Sequence, residues 1–431
     1  MTQQGISASE PAGAPAASAA DQPMRSRNID AIVAHLQAGC KRPHTGRVGI
    51  ELEHILVDGT GDSISYSQPG GVRDVLAALR ADYPQATIHD GDLLGVARPG
   101  AAVTIEPAAQ LELSAGPFER LEQAKRAFLD FEADVARALE PIGGRALAIG
   151  YDPVHRAVDK ELIPKARYQF MNEYLSAISP WGPRMMRGSA SAQVSIDYRD
   201  EADCIAKLRV ASALAPLFAL MCDNSPMFEG SRRPHPLMRT EIWKYCDPDR
   251  CNTVPGIFEE GYGFADYAAW LLDTPAIVVL DADGEPRYDT RTFGEIYANE
   301  PMDDAAAFHA MGMVFPDVRL KSYAEIRPAD SMPVPYTIAY AGLIKGLFYG
   351  KGTLEALQES CAGIRAADIM EAKDALMKDG YRARVYRRDA GEICDELMEL
   401  AHRGLPAAEW SYLDPLAELV RRRTTLAEQA L

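Results

Sequence analysis

Four stretches of the chain alternate apolar and polar residues with a period of two, the spacing that turns one face of a β-strand toward a core. In "GRVGIELEHILVDG", Val48, Ile50, Leu52 and Leu56 share one face, while Gly49, Glu51 and Glu53 share the other. In "VTIEPAAQLELSAGP", Leu111 and Leu113 oppose Gln110, Glu112 and Ser114, with Glu106 just upstream. In "SASAQVSIDY", Val194, Ile196 and Tyr198 oppose Gln193, Ser195 and Asp197. In "VRLKSYAEIRPAD", Val318, Leu320 and Ile326 oppose Arg319, Lys321, Tyr323, Glu325 and Arg327. Each is expected to be an antiparallel strand with its apolar face covered by helices.

The period changes to three and four elsewhere. Leu121, Ala124, Phe128, Phe131, Val135 and Leu139 predict an amphipathic helix over 117–140. Ile205, Leu208, Leu214 and Leu217, behind an acidic start, predict another over 201–221 that Pro216 should kink. From about residue 335 the pattern is almost wholly helical, over 336–349, 353–360, 364–379, 390–402 and 414–429, and reads as packing mass. Residues 1–27, rich in Ala, Ser, Pro and Gly without apolar periodicity, are expected to be a disordered tail. Residues 28–431 then form one catalytic domain, with 335–431 mainly helical, because no linker or internal repeat divides them.

Composition narrows the function. A formal charge of -17 argues against a nucleic-acid surface, so an anionic ligand must be neutralised locally by metal ions or focused arginines. No apolar run reads as a membrane span and no basic-apolar signal opens the chain, which makes the cytosol the expected compartment and a membrane partner unexpected. The seven cysteines are scattered, without the close pairs of a zinc or redox site.

The polar faces of the four strands supply the candidate chemistry. Three concentrate Glu and Gln and the fourth Arg and Lys, so on one sheet they would make a cup of oxygen donors bordered by cations. Crowded carboxylates repel one another unless a cation holds them, and oxygen-only donors favour magnesium or manganese over zinc. Arginine suits phosphate or carboxylate oxygens. The cup therefore reads as an ATP and metal site, although no Walker or Gly-x-Gly-x-x-Gly loop is present. His54, on the apolar side of the first strand, reads as a core histidine, and "CDPDRC" as a turn held by a salt bridge of Asp247 or Asp249 with Arg250.

At this point the chain resembles a family, the glutamate-cysteine ligases, in particular the branch shared by plants and many bacteria. The resemblance covers roughly 46–350 and rests on "GIELEH", "EPAAQLELSAGP", "PKARYQFMNEYL", "MMRGSASAQVSID", "DNSPMFEG", "LMRTEIW", "DPDR", "YGFADYAAWLLDTP" and "FPDVRLKSYAEIRPAD". It implies an α+β, glutamine synthetase-like fold, in which a largely antiparallel, curved sheet forms a funnel with helices on its outer face. It further implies Glu51, Glu53, Glu106, Glu112 and Glu325 as ligands of Mg2+ or Mn2+, with Gln110 and Gln193 in the same metal group; Gln193 stands where another bacterial branch has a histidine. Arg327 would bind the transferred phosphate and, with Lys321, ATP. Arg239 and Trp243 would bind glutamate, making Arg239 and Arg327 the catalytic cations, and Lys165, Arg167 and Tyr168 are further candidates for substrate or phosphate. The implied reaction joins the γ-carboxylate of glutamate to cysteine through γ-glutamyl phosphate, the first step of glutathione synthesis. The implied partners are ATP, glutamate and cysteine, with the chain a monomer or weak homodimer. A carboxylate-amine ligase using another acid or amine, a noncatalytic nucleotide-binding relative, and a guanido phosphotransferase on the same superfold are the alternatives.

Overall fold

The computed structural model describes residues 23–42, 46–281 and 283–431. A nine-stranded sheet organises the chain: β1 (Val48–Val57), β2 (Gln85–His89), β3 (Asp92–Arg98), β4 (Ala101–Ile105), β5 (Leu111–Phe118), β6 (Arg145–Leu147), β7 (Ala192–Ile196), β8 (Val318–Leu320) and β9 (Ala324–Ile326). The order across the sheet is β8-β9-β7-β1-β5-β4-β3-β2, with β6 also on β1, and every pairing is antiparallel. The sheet is open, ending at β8 and β2.

The face assignments follow from side-chain alternation and are what the structure shows. Val48, Ile50, Leu52, Leu111, Leu113, Val194 and Ile196 are buried in one core with Phe128, Phe131 and Val135 of the helix Leu121–Leu139. The helices Glu201–Met221 and Val334–Tyr349 also pack on the sheet. His54 faces this core, with its ring 5.7 Å from that of Phe131 and its Nε2 3.3 Å from a Glu132 carboxylate oxygen.

Four differences from the sequence reading have physical causes. The segment from Val318 is a hairpin rather than one strand, with Val318 opposite Ile326 and Arg319 opposite Glu325. The alternation still sorted its faces correctly, because directly paired residues share a side of the sheet. The tail boundary moves, since the helix Met24–Ala38 begins inside the stretch expected to be disordered; residues 1–22 lie outside the described residues. The last helical segment is two helices, Asp414–Arg421 and Leu426–Gln429. Arg423 takes a left-handed φ of 53°, and Thr425 restarts the helix through a reciprocal capping box with Glu428. Finally, Glu201–Met221 is long and apolar enough to cross a membrane, with a mean hydropathy of 1.6, but 89% of that window is buried in the protein. It is a core helix, and it runs on through Pro216.

Candidate active site

Strand register assembles the polar face. Glu51 lies between Gln193 of β7 and Ser114 of β5, and Glu53 is opposite Glu112, which is opposite Thr104 of β4. Glu106 comes from the tight β4–β5 turn, where the Glu106 N–H donates to the Gln110 carbonyl at 2.9 Å and Ala109 takes a left-handed φ of 64°. These four glutamates line one cavity of about 330 Å³ together with Tyr168, Arg167, Arg239, Trp243, Arg319, Lys321 and Arg327. Carboxylates and cations are thus brought to one place, as the alternation implied.

Within the cavity the charges are sorted. Burial, reinforced by the Glu325 charge, pushes Glu51 up to about 7, and burial with the Glu106 charge does the same to Glu53. Glu112 is raised well above the usual carboxylate range by burial and by Glu51. Glu53 is held in place by the Ser191 N–H and the Ser191 hydroxyl, each donating at 2.8 Å.

Glu325 behaves in the opposite way. It is fully buried, yet Arg319, Arg327 and Lys321 outweigh that burial and hold its carboxyl far below the usual range. One of its oxygens accepts from Arg319 at 2.8 Å and from Arg327 at 2.7 Å; the other accepts from Lys321 at 3.1 Å. This carboxylate is thus paired with three cations and holds them together. The two glutamines also have protein partners. The Gln193 side-chain oxygen accepts from Arg327 at 2.5 Å. Gln110 braces the turn: its oxygen accepts from the Ala108 N–H and its amide donates to the Met186 and Ser189 carbonyls. Local alternation assigns a face, but it does not say which neighbour a side chain chooses.

The cationic wall is built on Trp243. The guanidinium carbons of Arg239 and Arg327 lie 5.5 and 5.6 Å from its ring centroid. Arg239 sits on the short helix Met238–Lys244, is 4% exposed, and donates to the carbonyls of Arg327, Pro328 and Ala329. Its Nε and the Trp243 indole N–H are buried without a hydrogen-bond partner among the described residues. On the opposite side the Tyr168 hydroxyl faces Glu106 at 3.5 Å, and Arg167 donates to the Gly312 carbonyl at 3.2 Å. Lys165 stands at the N-terminal boundary of the helix Ala166–Ile178 and places its ammonium 4.9 Å from the Tyr168 ring centroid, without lining the cavity itself.

A second, larger cavity of about 710 Å³ shares Glu51 with the first. Its floor is Gly49, Ala102, Ser114 and Ser195, and Lys41, Arg47, Arg98 and Asp197 stand around it. Small residues on the polar side of four strands are the sequence signal for this space.

The donor set bears on a divalent cation. Glu51, Glu53, Glu106 and Glu112 offer only hard oxygen ligands, and three of them are raised by burial first and by a neighbouring carboxylate's charge second, both of which a bound hard cation would offset. Their chemistry fits such an ion. Among the described residues no preformed group of three or more metal-binding side chains is found.

Comparison with known proteins decides the family. The family model described as glutamate-cysteine ligase family 2 matches residues 47–431. The chain belongs to this glutamate-cysteine ligase family. It is 28% identical over 413 residues to the chloroplastic glutamate-cysteine ligase of Arabidopsis thaliana, covering 93% of this chain and 78% of that one. To the Medicago truncatula enzyme it is 27% identical over 413 residues, covering 93% and 80%. The glutamate-cysteine ligase of Francisella tularensis, solved in complex with AMP, shares the fold with a TM-score of 0.56 at 13% identity, covering 89% of this chain and 83% of that one.

Proposed function

We propose that this ligase joins the γ-carboxylate of glutamate to the amine of cysteine at the expense of ATP, in the two cavities that meet at Glu51. The observation that carries the reading is the sorting of charge on one sheet face: crowded carboxylates beside a cation cluster ordered by Glu325. Phosphoryl transfer asks a protein for positioning and charge neutralisation more than for a nucleophile, and this face supplies both.

The small-residue floor of the larger cavity suits the flat nucleoside of ATP, which would run its phosphates past Glu51 toward Arg319, Lys321 and Arg327. Glu51, Glu53, Glu106 and Glu112 would hold magnesium, which when bound neutralises phosphate oxygens. Arg239 and Trp243 would fix the glutamate backbone end, the guanidinium meeting a carboxylate. A γ-carboxylate oxygen attacks the terminal phosphorus and ADP leaves. The cysteine amine then attacks the acyl carbon, phosphate leaves with the bridging oxygen, and the amine loses a proton. Arg327, fixed between Glu325 and Gln193, neutralises the moving phosphoryl group.

The assay is ADP release by the purified chain with ATP and either Mg2+ or Mn2+, across a panel of acids and amines, with products weighed by mass spectrometry. Turnover requiring both glutamate and cysteine and yielding γ-glutamylcysteine is expected. Equal ADP release without cysteine would refute the amine assignment, and indifference to glutamate would refute the acid.

A further inference from the structure

The helix Ala366–Asp379 lies beyond the residues that carry the sheet, yet one of its side chains enters the wall behind Trp243. Lys373 is 2% exposed. Its ammonium is 2.7 Å from a carboxylate oxygen of Asp317 and donates to the side-chain oxygen of Asn252 at 3.0 Å. A small cavity of about 20 Å³ is bounded by Lys373 and Asp317 on one side and by Arg239, Trp243 and Arg327 on the other.

Each partner of Lys373 leads to a different part of the cationic wall. Asp317 immediately precedes β8, and its carbonyl accepts from the Arg327 backbone N–H at 3.0 Å, fixing the strand end from which that guanidinium projects. Asn252 donates through its side-chain amide to the Lys244 carbonyl at 3.2 Å, the last residue of the short helix that carries Arg239 and Trp243. Asn252 and Asp317 are joined to each other, the Asp317 N–H donating to the Asn252 carbonyl at 2.8 Å. Asn252 holds a left-handed φ of 68°, so its side chain is aimed by a backbone that has few alternatives. Next to Lys373, Asp374 makes an ion pair with Lys244 from the same helix.

We propose that Lys373 is a positioning residue for acid-substrate binding: it ties the helix bearing Arg239 and Trp243 to the segment bearing Arg327, and so sets where the Arg239 guanidinium, which would grip the acid, stands relative to Arg327, which would meet the transferred phosphoryl group. This rests on the ligase reading above. No contact between Lys373 and substrate is implied, and Lys373 does not line the second cavity.

The test is steady-state kinetics of the full chain with ATP, Mg2+, glutamate and cysteine, read beside thermal unfolding. Lys373→Met is expected to raise the KM for glutamate at least tenfold and to lower kcat, while the KM for ATP stays within twofold because Arg319 and Lys321 remain held by Glu325, and Lys373→Arg to recover most of the loss. The double variant Asp317→Asn with Lys373→Met leaves no unpaired buried charge, so it should regain melting temperature without regaining the glutamate KM. A parallel rise in both KM values, or recovery of the glutamate KM in the double variant, would show a merely structural lysine and overturn the proposal. If Lys373→Met does not fold, Asn252→Ala is read instead: a selective rise in the glutamate KM supports the proposal and an unchanged one overturns it. Wild-type enzyme without glutamate-dependent turnover would overturn the ligase reading itself, a separate result from a wild type that ligates and variants that show no split.

Discussion

Glu53→Gln should make the cation-free protein more stable and the enzyme inactive. Glu53 is 7% exposed, and its carboxyl is raised from the usual 4.5 to about 7 by burial and the Glu106 charge. A raised carboxyl contributes its full stability below the unfolded value of 4.5 and loses it as the pH climbs through about 7. At about 1.4 kcal/mol per pH unit, ionising Glu53 in the folded chain costs up to about 3 kcal/mol by pH 8. Glutamine removes that cost, but its amide nitrogen cannot accept from Ser191 as both carboxylate oxygens do, which returns about 1 kcal/mol. The expected balance is a variant about 2 kcal/mol more stable than wild type at pH 8, an advantage that vanishes by about pH 5. Urea unfolding in chelator at the two pH values measures it. Added magnesium should then stabilise wild type and leave the variant nearly unchanged, and metal-dependent ATP turnover should be lost in the variant. Parallel pH profiles for the two proteins would refute the electrostatic reasoning; normal turnover would remove Glu53 from the site.

Three further outcomes are expected. Because Glu51 and Glu53 hold protons below about 7, metal binding should release protons and the apparent metal affinity should weaken as the pH falls through 7; calorimetry in buffers of different ionisation enthalpy reads both. Arg327→Lys cannot reach Glu325 and Gln193 with the same planar group, and kcat should fall by about 10² or more with the fold intact, seen as ADP release beside an unchanged far-ultraviolet circular dichroism spectrum. Arg250→Met strands the Asp247 carboxylate, which is fully buried and 2.7 Å from the Arg250 Nε, and should cost about 3–5 kcal/mol in urea unfolding; adding Asp247→Asn should return much of it.

The strands and their polar faces were legible because a half-buried strand writes its orientation into every second residue. Even the hairpin at Val318 could be misread as one strand and still have its faces sorted. Helix ends were legible where the apolar stripe stops, as at Glu201–Met221 and Thr353–Ser360. The break before Leu426 had a sequence signal in the Thr425 and Glu428 pair of a capping box, but the apolar pattern on either side hides it. What alternation does not encode is partner choice. Glu325 and Glu53 look alike in sequence, yet three cations from one hairpin claim the first, while the second faces other carboxylates. Gln110 braces a turn, while Gln193 bridges Arg327 and Glu53. Lys373 was least legible of all, because its partners are about 55 and 120 residues distant and an apolar helix pattern gives no sign of a lysine that points inward.

The separation of Glu325's cations from the Glu51, Glu53 and Glu112 group gives the sheet face a polarity that is full once those carboxylates ionise. A nucleotide polyphosphate that arrives with a divalent cation on one flank has both signs to offer and can satisfy both ends in a single orientation. A polyphosphate stripped of its cation meets repulsion at one end and attraction at the other, so it should settle against Arg319, Lys321 and Arg327 in a pose that cannot react. Free ATP in excess over metal would then act as a competitive inhibitor of the metal-bound form, and cellular magnesium would govern the rate through the ratio of the two nucleotide species as well as through occupancy of the site.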